Sequence, residues 1–216
     1  MNYLELVNDV LVRLRENEVS SVDDTPYSKL IKRYVNDAKR QVEDAYNWNG
    51  LSNTLTMTTV PSLFNAVLVG SGQRFRVVDV INDTSDMVMR YVPTTTLTEW
   101  MTVSGTPQSG PPEFYNFNGV NNEGDTQVDI YPIPDAAYTI RFNIIQPQDP
   151  LLYNSDKLMV PDEPVIFLAY AKALAERGED AGLGSSEAYA LYKESLAEHI
   201  SIEANRYPEE LIWVPN

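Results

Sequence analysis

Five aspartates in the middle of the chain are the residues best placed to do chemistry. Asp79, Asp83 and Asp86 lie in one predicted strand-turn-strand segment, and Asp125 and Asp129 flank the start of another strand. Two carboxylates converging at roughly 5 to 9 Å in a cleft would suit the acid and the nucleophile or base of glycan hydrolysis. These are also positions where turns ordinarily use aspartate, because its carboxylate bonds the neighbouring backbone and tolerates turn geometry. The turn reading is preferred, and a carboxylate-dependent glycan hydrolase stands as the alternative from the enzyme class.

Other chemistry has little to draw on. The chain has no cysteine, which removes thiolate nucleophiles, disulfides and zinc-thiolate sites, and its one histidine, His199, rules out a polyhistidine metal site within a subunit. No partner for a general base can be named beside His199, which falls at the margin of the apolar stripe of the last predicted helix and reads as a surface or interface residue. The calcium loop, phosphate loop, dinucleotide fingerprint, H-E-x-x-H and G-x-S-x-G are all absent. No metal, cofactor or catalytic residue is assigned.

The charge balance points the same way. With 31 acidic against 16 basic residues the net charge is -15, so the mean field repels nucleic acid. No stretch of about 18 apolar residues occurs, and the opening run MNYLELVNDVLVRLRENE lacks a basic n-region and a small-residue cleavage site. The expectation is a soluble protein made in the cytoplasm, without a membrane partner.

The elements that must position these residues are of two kinds. Residues 2–16 place Tyr3, Leu6, Val7, Val10, Leu11 and Leu14 at helical spacing. Thr25-Pro26, an N-cap residue before proline at the first helical position, opens a second helix that stops near Trp48-Asn49-Gly50. From Leu51 the vocabulary turns to Thr, Val, Pro, Asn and Gly. Strands are predicted at 53–60, 73–82, 87–92, 113–117, 126–131 and 137–146, with turn clusters between them. Pro161-Asp162-Glu163-Pro164 then starts an apolar helix over 165–177 with Gly178 as its C-cap, and a last helix spans about 185–205. The fold class is α+β: a discontinuous helical bundle (1–50 with 161–205) interrupted by a small antiparallel β-barrel or sandwich (51–160), with an extended C-terminal arm (206–216).

Two helices carry opposite charge. Advancing 100° per residue puts Lys29, Lys32, Arg33, Lys39 and Arg40 opposite the apolar stripe of the second helix, and gathers Glu187, Glu194 and Glu198 opposite Tyr189, Leu196 and Ile200 on the last. Both could be solvated faces. The sharper reading is that the basic face of one subunit meets the acidic face of the next, in a head-to-tail contact that closes by rotation. The tail of Arg206, Tyr207, Pro208, Leu211, Ile212, Trp213 and Val214 is too apolar to sit idle in water. It either packs on its own domain or docks as an arm on another protein, with Trp213 as anchor, and docking is preferred.

The order of parts carries a resemblance. The N-terminal run VNDVLVRLRENEVSSVDDTPYSKLIKRYVNDAKRQVEDAYNWNGL holds a short helix, a Val-Ser linker and a long helix ending at tryptophan. The segment IYPIPDAAYTIRFNIIQPQDPLLYNSDKLMVPDEPVIFLAYAKALAERGED runs through strand, Pro-Asp turn, strand, Pro-rich descent and capped apolar helix. Together they resemble the head-to-tail adaptor proteins of short-tailed bacteriophages, the class that includes tail tubular protein A and the head-completion proteins. The resemblance implies a virion protein at the head-tail junction and not an enzyme: a dodecameric homo-oligomeric ring between the portal protein and the tail nozzle protein. DNA would pass through its channel during genome ejection without specific binding. It maps the portal-binding arm to 206–216 and the central helices to 27–46 and 165–177. A carbohydrate-binding tail component is the third reading, favoured if exposed aromatics cluster on the β segment.

Overall fold

A computed structural model of the chain describes residues 1–103, 105–178 and 183–206. Two compact units emerge, one formed by Met1–Leu51 with the described residues from Pro147 onward, the other by Ser52–Gln146.

The first unit is built on four helices: α1 (Tyr3–Arg13), α2 (Pro26–Ala45), α4 (Asp162–Arg177) and α5 (Leu183–Ala204). Local chemistry sets their ends. Asn2 caps α1 by accepting from the Glu5 amide at 2.9 Å while the Glu5 carboxylate accepts from the Asn2 amide, a reciprocal capping box. Thr25 and Ser28 make the same exchange at α2, with Pro26 in its first turn. At the other end of α2 the buried Trp48 indole N–H donates to the Val42 carbonyl at 2.7 Å, satisfying an acceptor that the last turn leaves open. Gly178 closes α4 in the left-handed conformation, φ 66°, which a side chain would strain.

Leu6, Val10, Ile31, Val35, Val42, Val165 and Ala169 fill the core of this unit. Arg177 joins three pieces of it. Its guanidinium lies 5.0 Å from the Tyr27 ring, donates to the Tyr27 hydroxyl at 2.8 Å and to the Leu14 carbonyl at 3.2 Å, and pairs with Glu16.

The irregular stretch 147–160, expected within the β segment, belongs here instead. Polar side chains of α2 hold it: Asn36 accepts from the Leu151 amide at 2.9 Å and donates to its carbonyl at 3.0 Å. The carbonyls of Asn154 and Asp156 in turn accept from the Leu4 and Tyr3 amides, which α1 leaves without internal partners. Gly50 fits because a Cβ there would collide with the Met159 carbonyl oxygen.

Tyr3 ties this junction together. Its hydroxyl donates to the Lys32 carbonyl and accepts from the Asn36 amide, both at 2.7 Å, in a setting where the residue is 1% exposed. Burial, aided by the charge of Asp23, pushes its pKa well above the ordinary value. A raised folded-state pKa contributes stability that is complete below the unfolded value, about 10, and is lost as pH climbs from there toward the folded value. Tyr3→Phe should therefore cost about 1–2 kcal/mol at pH 7, through the two hydrogen bonds lost at the Lys32 carbonyl and the Asn36 amide, and should shallow the fall in stability above pH 10. Urea titrations of both proteins at pH 7 and pH 10.5 check this; equal slopes in the two proteins would refute it.

The second unit holds two four-stranded sheets, ordered β1-β8-β3-β4 and β2-β7-β6-β5. Their strands are β1 (Ser52–Thr58), β2 (Asn65–Leu68), β3 (Arg76–Asn82), β4 (Met87–Val88), β5 (Arg90–Tyr91), β6 (Phe114–Val120), β7 (Thr126–Tyr131) and β8 (Thr139–Ile145). Met57, Val80, Ile140, Phe142 and Ile144 from the first sheet share one core with Leu68, Tyr115, Val128 and Ile130 from the second. The barrel alternative is thereby corrected, because the strands divide into two sheets and do not close on themselves. The pairing is antiparallel throughout except that β5 runs parallel to β6.

The single strand predicted over 87–92 divides. Its first half pairs with β3 and its second with β6, with Met89 buried between them, so the chain changes sheets there. Two elements went unpredicted. β2 is only four residues long and sits among turn-forming neighbours. The short helix α3 (Thr94–Thr98), continued by a π-helical turn over Glu99–Val103, is rich in β-branched threonine. Its Leu97 is buried and its Trp100 packs against Phe114 and Tyr131, at 5.0 and 5.3 Å between ring centres, so packing overrides weak propensity.

Candidate assembly interface

Four of the five carboxylates considered for hydrolysis are engaged structurally, and the fifth, Asp86, stands exposed in a turn. Asp79 accepts from the Asn143 amide at 2.6 Å across β3 and β8. Asp83 pairs with Arg141 at 2.9 Å, and Asp86 occupies a turn at φ 51°. Asp125 accepts from the backbone amides of Gly70 and Gly72, and buried Asp129 accepts from Asn65 at 2.6 Å. Asp79 and Asp129 also belong to different sheets. Among the described residues no group of three or more His, Asp or Glu side chains is arranged to hold a metal ion.

His199 is half-buried on the side of α5 that faces inward, its Nδ1–H donating to the Ser195 carbonyl at 2.8 Å. The aromatic rings of the β unit mostly pack on one another, as in Tyr115 against Phe117 and Phe142; Tyr91 and Phe64 are its large aromatics that stand exposed.

The five cations expected on one face of α2 separate into three environments. Lys29, Arg33 and Arg40 are exposed. Lys32 is half-buried and paired with Asp23. Lys39 is corrected out of the face altogether: it is 3% exposed, pairs with Glu43 at 2.9 Å, and donates to the carbonyls of Gln148 and Asp149 at 2.6 and 3.1 Å. At about 100° per residue Lys39 lies nearer the apolar stripe than Lys29, Arg33 or Arg40 do, and the stretch after Pro147 folds over that flank.

On α5 the acidic residues Glu187, Glu194 and Glu198 are exposed as the helical wheel suggests, but the buried face is not the expected one. Ala188, Tyr192 and Ser195 turn inward, while Tyr189 is 44% exposed and Leu196 and Ile200 are half-buried. Apolar residues surround this helix, so periodicity gives no unique inward direction. Packing against α4 decides it, and Ser195 goes in because its hydroxyl reaches the Glu163 carboxylate at 3.1 Å.

Between α2, α4 and α5 lies a groove of about 420 Å³ whose apolar walls include Leu168, Ala171, Ala175 and Tyr189, with Gln41 and Ser186 at its rim. Lys172 also lines it. Burial lowers the pKa of its ammonium, an effect that the charge of Asp37 opposes. The sequence reasoning passed over Lys172, although a lone charge within the run Val165–Ala175 was a visible signal. Of the proposed arm only Arg206 is described, paired with Glu203 at 3.3 Å; Tyr207, Pro208, Leu211, Ile212, Trp213 and Val214 lie outside the described residues.

An α+β chain whose carboxylates support turns and sheets, and whose helices present charge outward, defines a structural protein built for contact. Residues 1–210 match the family model described as SU10 adaptor protein, and the chain belongs to that family of phage head-tail adaptors. No curated protein matches the chain. The adaptor role places it among virion structural proteins that contact other virion components, such as portal and tail proteins. Among the described residues no helix is long and apolar enough to cross a membrane.

Proposed function

We propose that this adaptor is non-enzymatic and assembles as a dodecameric ring that joins the portal to the tail nozzle around a passage for genome ejection. The observation that carries the reading is the adaptor-family match over residues 1–210. The exposed cations Lys29, Arg33 and Arg40 on α2 and the exposed carboxylates Glu187, Glu194 and Glu198 on α5 support a heterologous contact between neighbouring subunits. The acidic excess, -15 per chain, leaves phosphates without cationic partners along a channel wall.

In this reading the helical unit meets the portal, Arg206–Asn216 is the arm that anchors it, and the β unit receives the nozzle. The two compact units act as separate domains, and the ring is assembled in the host cytoplasm onto the portal. Size exclusion with light scattering, on the protein alone and mixed with its cognate portal, tests it. Co-migration as one large complex, abolished by deleting Arg206–Asn216, is expected. A protein that ignores the portal would overturn the reading.

A further inference from the structure

We infer that the groove between α2, α4 and α5 is a seat for the C-terminal segment Tyr207–Asn216 of a second copy of this chain, occupied before the arm reaches the portal. The groove asks for a specific kind of guest. Leu168, Ala171, Ala175 and Tyr189 offer apolar surface, and Tyr189 stays 44% exposed although the Lys193 ammonium lies 4.9 Å from its ring and Tyr192 packs beside it. Lys172 adds one cation that makes no hydrogen bond or ion pair of its own among the described residues. A guest with large apolar side chains next to a carboxylate would satisfy both.

The run Glu209-Glu210-Leu211-Ile212-Trp213 has that composition in that order. Its two carboxylates complement Lys172, and a tryptophan is the side chain that most often anchors such a contact. Without a guest, the apolar walls remain in water at a cost that scales with their area.

Reach selects a second copy over the same one. Tyr189, on the groove, lies fifteen residues before Ala204, the end of α5, a distance of about 22 Å along the helix. Glu209 is five residues beyond Ala204 and extends at most about 18 Å, even if the chain doubles straight back. Glu210 gains about 3.5 Å and still has to turn through the helix end. The backbone of one chain thus brings its acidic pair only to about the near edge of its own groove, and only by reversing direction at full extension, whereas a neighbouring copy presents the pair without that constraint. Such an exchange is heterologous and links copies in series.

The arm's later transfer to the portal rests on the adaptor reading; the seat itself does not. The test is fluorescence anisotropy of a labelled peptide with the sequence Tyr207–Asn216, added to the full-length protein without portal. Saturable binding is expected, weakened at least roughly tenfold by Lys172→Glu in the protein and by Trp213→Ala in the peptide. A peptide carrying Glu209→Gln and Glu210→Gln probes the charge contact on the unaltered protein, so the outcome does not depend on how Lys172→Glu folds. Absent binding, or binding indifferent to both glutamates and Trp213, overturns the groove assignment whatever the portal does. Intact peptide binding in a protein that ignores the portal would leave the seat standing and overturn the adaptor reading alone.

Discussion

Lys39→Ala is expected to destabilise the protein by about 3–5 kcal/mol, the largest effect of any single charged residue on α2. Lys39 and Glu43 are 3% and 1% exposed in their side chains and 2.9 Å apart. Removing the ammonium leaves a buried carboxylate without its counter-charge, and takes the donor away from the Gln148 and Asp149 carbonyls. Attraction between buried charges only about offsets their desolvation, so the cost arises from the orphaned partner more than from the lost bond. A paired replacement, Lys39→Met with Glu43→Leu, should therefore recover much of the loss. Recovery should be incomplete, because the two carbonyls and the Gln148 amide, which donates to Glu43 at 3.1 Å, stay unmatched.

Urea unfolding of the two single variants and the double variant gives the coupling directly. A Lys39→Ala protein as stable as the parent would mean that this lysine is solvated, and would return it to the exposed basic face. The same experiment reports on the loop after Pro147, since Lys39, together with Asn36, tethers it to α2.

Reversing Lys29, Arg33 and Arg40 together to glutamate is expected to abolish ring assembly while leaving the monomer folded. All three side chains are exposed, so their loss should cost little stability. In the proposed ring the change would act at every interface, setting glutamates against Glu187, Glu194 and Glu198. Like charges set against each other cost several kcal/mol per contact, enough to lower association by about a hundredfold or more. The unaltered protein should also assemble less well as salt rises from 0.05 to 0.5 M, because exposed pairs are screened beyond a Debye length of about 10 Å at 0.1 M.

Light scattering of portal mixtures over that salt range, with thermal melts of the free protein as the folding control, provides the measurement. Rings that form normally at low salt from the triple variant would dispose of the charge-matched contact. Lys32 is left out because it is committed to Asp23, and Lys39 because its change would test stability instead.

How much of this could be read before the fold was known depended on the range of the interactions involved. The start of α2 and the stop of α4 were legible because capping is settled within a few residues: Thr25 finds Ser28, and Gly178 reaches back only to Leu174. The strand over 126–131 was equally plain, flanked by Asn-Gly turn residues on one side and proline on the other. The helix α3 was not, since threonine-rich sequence takes helical form there only because Leu97 and Trp100 find apolar surface on strands that follow later in the chain. Nor could the wheel of α5 choose its inward face, where Ser195 displaces the expected stripe through a bond to a residue 32 positions away.

The candidate interface divides along the same line. Residue type and helical spacing alone determined that α2 is cationic and α5 acidic on their outer sides, and that the tail is apolar with a tryptophan and two glutamates, because those properties belong to side chains and to a 3.6-residue period. Only the tertiary structure decided which of those charges remain available for a partner. Lys39 was taken by carbonyls 109 and 110 positions away, Lys32 by an aspartate in the preceding turn, and Lys172 was left in a groove made by three helices. Burial and pairing depend on what the distant chain brings alongside, and no local pattern encodes that.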